Sequence, residues 1–284
     1  MSALGVDVAV LGGGAAGRAA MGVLLHFGAA ARLLDEPAPA DPALWSAPIE
    51  GVRVWGVGRD GAGFRLDGVE EAGGVTVIAR ALILATGAHG SHIPHPHWIP
   101  STEASRMLGV AHVDRASHGG VVPMMDEAQR CGQARLYAAG DCAGLGGDAV
   151  HEGEVAARAA LADLGLAAPA DIPPRPRIDH SAAHGRLRAA CAALPGVAVL
   201  CPCEAVTRAD IDRAIADGAA DPNQLKSFTR AGMGRCQSRL CGTVLAELGG
   251  GRATPRLPLR PVPMRALLGA FDYADIPVPA AAPI

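Results

Sequence analysis

Lysine is nearly missing from this 284-residue chain: Lys226 is the single one, and arginine makes up the rest of the 25 basic residues set against 28 acids. The net charge of −3 carries no basic stripe, which argues against nucleic acid and anionic membrane as partners. The arginine bias reads as the codon bias of a GC-rich genome. Aromatic residues are also scarce, at 3%, so the core must be built from small and aliphatic side chains, as nucleotide-binding α/β folds often are. No uninterrupted apolar run approaches the ~18 residues of a membrane-crossing helix. The opening MSALGVDVAV lacks a basic n-region and a small-residue cleavage site, so a secretory signal is not expected and the chain is placed in the cytoplasm. A nucleophile triad, an HExxH helix, a Walker loop and a carboxylate pair are all missing, so the sequence offers no general acid–base machinery of its own.

What is present fits about two domains, at roughly 150 residues each. The run 6–11 (VDVAVL) reads as a buried strand, followed by the glycine turn 12–17 and a helix over 18–27. A second strand over 31–34 ends on Asp35-Glu36, which completes a βαβ start. Alternation between glycines over 51–80 predicts an antiparallel meander, and the apolar run 81–84 predicts a further strand that stops at Ala85-Thr86-Gly87. One more short strand is expected over 136–139, before Gly140-Asp141, and a small-residue helix over 150–164. A Pro-rich connector then leads to a helix over 181–194, a cysteine-bearing segment over 198–250 and a Pro- and Arg-rich tail. There is no internal repeat.

Strand, glycine turn and helix in that order are what a dinucleotide pyrophosphate requires. The first glycine allows the tight turn, the second lets the phosphates approach the backbone, and the third lets the helix lie close to the strand. Gly12, Gly14 and Gly17 fit these roles, with Ala15 and Ala16 between them. Asp35, eighteen residues past Gly17, is placed to accept hydrogen bonds from a ribose, and an acid there favours an adenosine without a 2′-phosphate. Glu36 reads as a solvated loop acid. Histidines 89, 92, 95 and 97 sit in a Pro-punctuated loop and read as solvated residues rather than metal ligands. His151 and Glu152 are weak candidates to cover a phosphate or flavin.

Seven cysteines in a cytoplasmic chain, four of them in close pairs, point to metal or redox chemistry rather than disulfides. Cys201 and Cys203 form a CxC, thirty-two residues follow, and Cys236 and Cys241 form a CxxxxC. Four thiolates suit an iron–sulfur cluster or zinc. Between the pairs, Thr207 is a helix N-cap with Asp210 three residues on, apolar Ile211, Ile215 and Leu225 mark a core face, and a helix starts near Pro222. Cysteine-bearing loops at helix ends would converge where the dipoles favour an anionic group. Cys131, Cys142 and Cys191 read as ordinary buried cysteines.

The stretches CEAVTRADI, LKSFTRAGMGRCQ and RLCG closely resemble bacterioferritin-associated-ferredoxin-like [2Fe–2S] domains. The form in question is the one fused to the larger subunit of hydrogen cyanide synthase, opine oxidase and hydroxyproline dehydrogenase. Residues 6–36, 51–99 and 131–165 more loosely resemble the FAD domain of that subunit. The paired Ala85-Thr86-Gly87 and Ala139-Gly140-Asp141 resemble motifs of flavoproteins with two dinucleotide-binding domains. That resemblance places Thr86 and Gly87 near the adenine side and gives Asp141, beside Gly140, the ribityl and pyrophosphate region of FAD. Two departures stand out: a central NAD-like domain is missing between Pro100 and Tyr137, and the segment after Glu36 is shortened.

The resemblance therefore implies an α/β fold: a Rossmann-type FAD-binding domain with a β-meander, followed by a small helical [2Fe–2S] domain. Its divisions are a shortened FAD-binding domain over 1–165, a linker and helix over 166–197, the cluster domain over 198–250 with Cys201, Cys203, Cys236 and Cys241 as ligands, and a partner-docking tail over 251–284. It implies an electron-transfer subunit that holds FAD and a [2Fe–2S] cluster. It implies as partners an amine-oxidising, FAD-containing beta subunit and a further small ferredoxin-like subunit, with quinone as acceptor and a peripheral place at the inner membrane. Without the NAD-like domain the chain is not expected to reduce NAD. A cluster-bearing scaffold without FAD is the alternative.

Overall fold

The computed structural model describes residues 3–35, 51–70, 73–91, 93–169, 172–251, 254–260 and 262. Glu36, His92, the shortened stretch 37–50 and most of the tail lie outside them. The first unit opens with β1 (Ala3–Leu11), α1 (Ala15–His26) and β2 (Ala31–Leu34), then the meander β3 (Arg53–Asp60), β4 (Gly63–Glu70) and β5 (Gly73–Leu84). Two short hairpins follow, β6 (Ala88–Ser91) with β7 (His97–Pro100), and β8 (His112–Arg115) with β9 (Gly120–Pro123), separated by α2 (Glu103–Met107). The unit closes with β10 (Leu136–Ala138) and α3 (Ala149–Asp163). After a connector come α4 (Ser181–Ala192), the small hairpin β11 (Val199–Cys201) and β12 (Val206–Thr207), and the helices α5 (Arg208–Ala216), α6 (Pro222–Thr229) and α7 (Gly242–Gly249).

The main sheet runs β2-β1-β5-β4-β3, with β10 against the end of β5. The expected meander and the expected strand 81–84 are one element. The first half of β5 pairs antiparallel with β4, and its last residues run parallel between β1 and β10, with Leu82, Ile83 and Leu84 opposite Leu136, Tyr137 and Ala138. Those residues are buried on both faces, as a central parallel strand demands.

The scarcity of aromatics is met by close packing of small groups. A Cβ on Gly153 of α3 would collide with the Ala16 carbonyl, so glycine there lets α3 lie directly on α1. Ala156, Ala157, Ala160 and Leu161 complete that face. Tyr137 packs into the same layer, and its hydroxyl donates to Asp163 at 2.6 Å, where Arg130 also binds. The helix expected over 18–27 begins three residues earlier, inside the glycine turn itself.

A separate apolar cluster holds the second unit together, built on Leu187, Leu200, Ile211, Leu225, Val244 and Leu245. The capping box of Thr207 and Asp210 is present: each side chain bonds the other's backbone N–H. Asp221 caps α6, with Pro222 in its first turn. Ile211 and Leu225 face the core as expected, whereas Ile215 is exposed. Segment 254–259 returns to the first unit, where the Leu259 N–H donates to the Trp55 carbonyl at 2.6 Å and its side chain joins the core beside Val57 and Leu66.

Candidate cofactor sites

The ends of β1, β5 and β10 are laced together by the Ala85 N–H to the Leu11 carbonyl at 2.8 Å and the Ala139 N–H to the Leu84 carbonyl at 2.9 Å. This is the carboxyl edge where β1 feeds α1 on one side and β5 lies on the other, the switch point at which open α/β sheets take their ligands. Gly12 has φ of +114°, and a Cβ there would strike the Ala85 carbonyl. A Cβ on Gly17 would strike the Gly12 carbonyl. Gly14 differs: nothing lies within 4 Å of where its Cβ would be, and it and Ala15 are exposed. The first turn of α1 carries no acidic residue, so its N–H groups and positive dipole face open space. Ala16 turns inward against Gly140 and Gly153 and leaves only its backbone to a ligand. Asp35 lies against Gly13 at the end of β2.

Thr86 and Gly87 are fixed by the returning chain, with the Thr86 hydroxyl donating to the Ser101 carbonyl at 3.1 Å and the Ser101 N–H to the Gly87 carbonyl at 3.0 Å. Asp141 is exposed in a single turn of 3₁₀ helix, and the cap of α3 is Asp148 instead. The edge thus presents Gly14, Ala15 and Asp141 to solvent together, a polar cradle that fits a dinucleotide. His151 and Glu152 do not join it. Glu152 is buried, accepts the Gly140 N–H at 2.8 Å and pairs with Arg177, while the His151 ring meets the Pro173 carbonyl at 3.0 Å. Burial raises the Glu152 pKa and Arg177 opposes that. These residues clamp the connector onto the Gly140–Asp141 turn.

The four cysteines of the second unit converge from β11, the loop after it and the loop that leads into α7. Cys201, Cys236 and Cys241 are buried and Cys203 is partly so. Their thiols lie close enough to interact, Cys201 with Cys241 and Cys203 with Cys236. Among the described residues, no three His, Cys, Asp or Glu side chains gather closely enough for a single ion. Four thiols that interact with one another would suit a [2Fe–2S] group. The neighbouring Cys241 thiol, and then the Gly232 N–H 3.5 Å from the sulfur, bring Cys201 down to about 6. Cys241 is raised by Cys201 and by burial. It is also the N-cap of α7, where the helix dipole favours negative charge. In contrast, burial pushes Cys131 up to about 12 and Cys191 up to about 11, and it raises Cys142. Those three are inert core thiols.

Some parts of the site carry no signal that singles them out in the sequence. Gly232 and Gly234 belong to the run AGMGRC. A Cβ on Gly232 would lie 2.9 Å from the Ser238 hydroxyl, and one on Gly234 would collide with the Cys203 Cβ. Arg239, between the last two cysteines, donates to the Cys236 carbonyl at 3.2 Å and the Leu259 carbonyl at 2.8 Å. Glu103 binds His89 at 2.9 Å and Ser101 at 3.0 Å. Burial would raise its pKa, but His89 and then Arg239 outweigh that and hold it well below the usual carboxylate range. His89 is therefore an enclosed partner rather than a solvated loop residue. Its loop is the hairpin of β6 and β7, on which His95 remains exposed and the His97 ring folds back on the His95 carbonyl at 2.6 Å.

Residues 199–248 match the family described as the BFD-like [2Fe-2S] binding domain. The opine oxidase A-subunit of Rhizobium meliloti (strain 1021) is 36% identical over 196 residues, covering 61% of this chain and 42% of the relative. The HcnB subunit of hydrogen cyanide synthase from Pseudomonas aeruginosa is 35% identical over 196 residues, covering 60% of this chain and 41% of the relative. The chain thus spans under half the length of these relatives. Among solved structures, L-proline dehydrogenase from P. horikoshii superposes with a TM-score of 0.70 over 94% of this chain and 80% of that one, at 17% identity, a likeness of fold. Among the described residues no helix is long and apolar enough to cross a membrane. The chain therefore joins a Rossmann-type α/β unit to a segment that matches the BFD-like [2Fe-2S] binding domain, and it is similar to the HcnB protein and to its opine oxidase counterpart.

Proposed function

We propose that this chain is the electron-transfer subunit of a heteromeric flavin-dependent dehydrogenase that acts on CH–NH donors such as amino acids, opines or hydroxyproline. The reading rests on one observation: a glycine turn that opens a helix and four interacting thiols in the same chain. Gly12, Gly14, Ala15 and the α1 N-terminus would hold the FAD pyrophosphate, Asp35 its ribose, and Asp141 the ribityl region. Cys201, Cys203, Cys236 and Cys241 would hold the cluster. When bound, the two groups would supply the stepwise electron transfer from an amine-oxidising partner to an acceptor such as quinone. The residues around them orient and exclude water: Gly12 and Gly17 set the turn, Thr86 and Gly87 fix the strand end, and Gly232 directs its N–H at the Cys201 sulfur.

The purified chain is expected to show a flavin band near ~450 nm and a red-brown cluster absorbance. Both should bleach on addition of the amino-acid-type donor only when the amine-oxidising partner is present. Iron and sulfide without flavin would support the second reading, a cluster-bearing scaffold; the shortening after Glu36 is the feature that favours it. Bleaching without the partner would refute the division of labour.

A further inference from the structure

A cavity of about 370 Å³ opens where α2, the ligand loop of the second unit and segment 254–259 meet. That volume lies in the ~300–1,000 Å³ range of small-molecule sites. Its wall carries Arg106, Lys226 and Arg256 together with apolar Met233 and Leu257. Burial lowers the Lys226 pKa first, and Arg256 and Arg106 lower it further, against an opposing pull from Cys241. Like charges turned toward one hollow repel, and burial strengthens that repulsion. Glu103 is the acid on this wall, and its carboxylate already binds His89 and Ser101. Among the described residues no carboxylate pairs with Lys226 or Arg256.

We propose that this cavity binds a small oxyanion ligand, a phosphate- or carboxylate-bearing molecule, between Lys226 and Arg256. The site is independent of FAD. It adjoins the cluster loop, since the Lys226 Cε would lie 3.2 Å from a Cβ on Gly232, whose N–H faces the Cys201 sulfur. A competing account of the same cations, as counter-charges for the thiolates alone, requires no ligand.

Isothermal titration of the cluster-loaded full chain with inorganic phosphate, and separately with succinate, distinguishes the two accounts, with visible circular dichroism following the cluster. Saturable binding of at least one anion and a change in the cluster signal are expected. Phosphate alone would mark a phosphorylated ligand, succinate alone a carboxylate, and both a general oxyanion site. Arg256→Glu and Lys226→Glu should weaken binding at least tenfold, whereas Arg115→Glu, an exposed arginine that does not line the cavity, should leave it unchanged. If Arg256→Glu loses its cluster, Arg256→Gln carries the comparison. Absence of saturable binding up to ~10 mM, roughly tenfold above the millimolar floor of specific affinity, or equal binding by the charge-reversed variants, would overturn the proposal.

Discussion

Arg239, set between Cys236 and Cys241, donates to the Leu259 carbonyl at 2.8 Å, and Leu259 is buried in the core of the other unit. The side chain thereby ties the cysteine loop to the segment that returns over the sheet. Arg239→Met should loosen that loop at a cost of about 1.5–3 kcal/mol, the usual worth of hydrogen bonds to a charged donor. The melting temperature should fall by several degrees, and iron should be lost faster to a chelator. Unchanged iron release would contradict this role.

Serine at Cys201, Cys203, Cys236 or Cys241 should each abolish the cluster, taking iron from about two atoms per chain to background. Serine at Cys131, Cys142 or Cys191 should leave iron and sulfide unchanged. Metal analysis of the seven variants checks both halves, and a requirement for one of the core thiols would break the assignment.

Two neighbouring glycines should separate fold from cofactor. Gly14→Ala points a methyl into open space, so the flavin-free chain should lose no more than about 1 kcal/mol, the scale of an N-cap change. Its flavin content should nonetheless drop, because the methyl stands where the phosphates approach. Gly17→Ala should instead damage the fold by roughly 1–3 kcal/mol or more through overpacking against the Gly12 carbonyl. Thermal melts beside flavin analysis provide the readout; equal flavin content in Gly14→Ala and the parent would remove the pyrophosphate from this turn.

Acid should act on the seam between the two units through Glu103. Its folded pKa is depressed, so its contribution is fully present above the unfolded value of ~4.3 and disappears as the pH falls through the folded value. Glu103→Gln should therefore be less stable than the parent near neutrality, and the gap should narrow as the pH falls below about 4. Melting temperatures between pH 3 and 7 test this; a gap that widens in acid would reverse the sign of the argument.

The local parts of both sites are legible in the sequence because each is written in consecutive residues. The glycine turn and the Thr207–Asp210 box depend on contacts within a few positions, and both stand in the structure. The hairpins of β6 to β9 are not, because strands of four residues between prolines and glycines leave no usable periodicity. For the same reason His89 reads as solvated, since its partner Glu103 sits on a five-residue helix with no apolar stripe. The seam is beyond reach: Glu103, Arg239 and Leu259 are brought together by tertiary packing, and nothing local to any of them signals the others. The run 81–84 is buried as its composition implies, but it is not a separate strand, since Arg80, an exposed residue paired with Asp7, interrupts the apolar pattern inside one continuous β5.

That continuity has a thermodynamic consequence. One twelve-residue strand serves as the last member of the meander and as the central member of the parallel sheet. Neither sub-sheet can come apart without stripping hydrogen bonds from the other, so the first unit should denature in a single concerted transition. Amides of Leu82 to Leu84 should then exchange with solvent only through global opening, and they would report the stability of the whole nucleotide edge from a place no ligand touches.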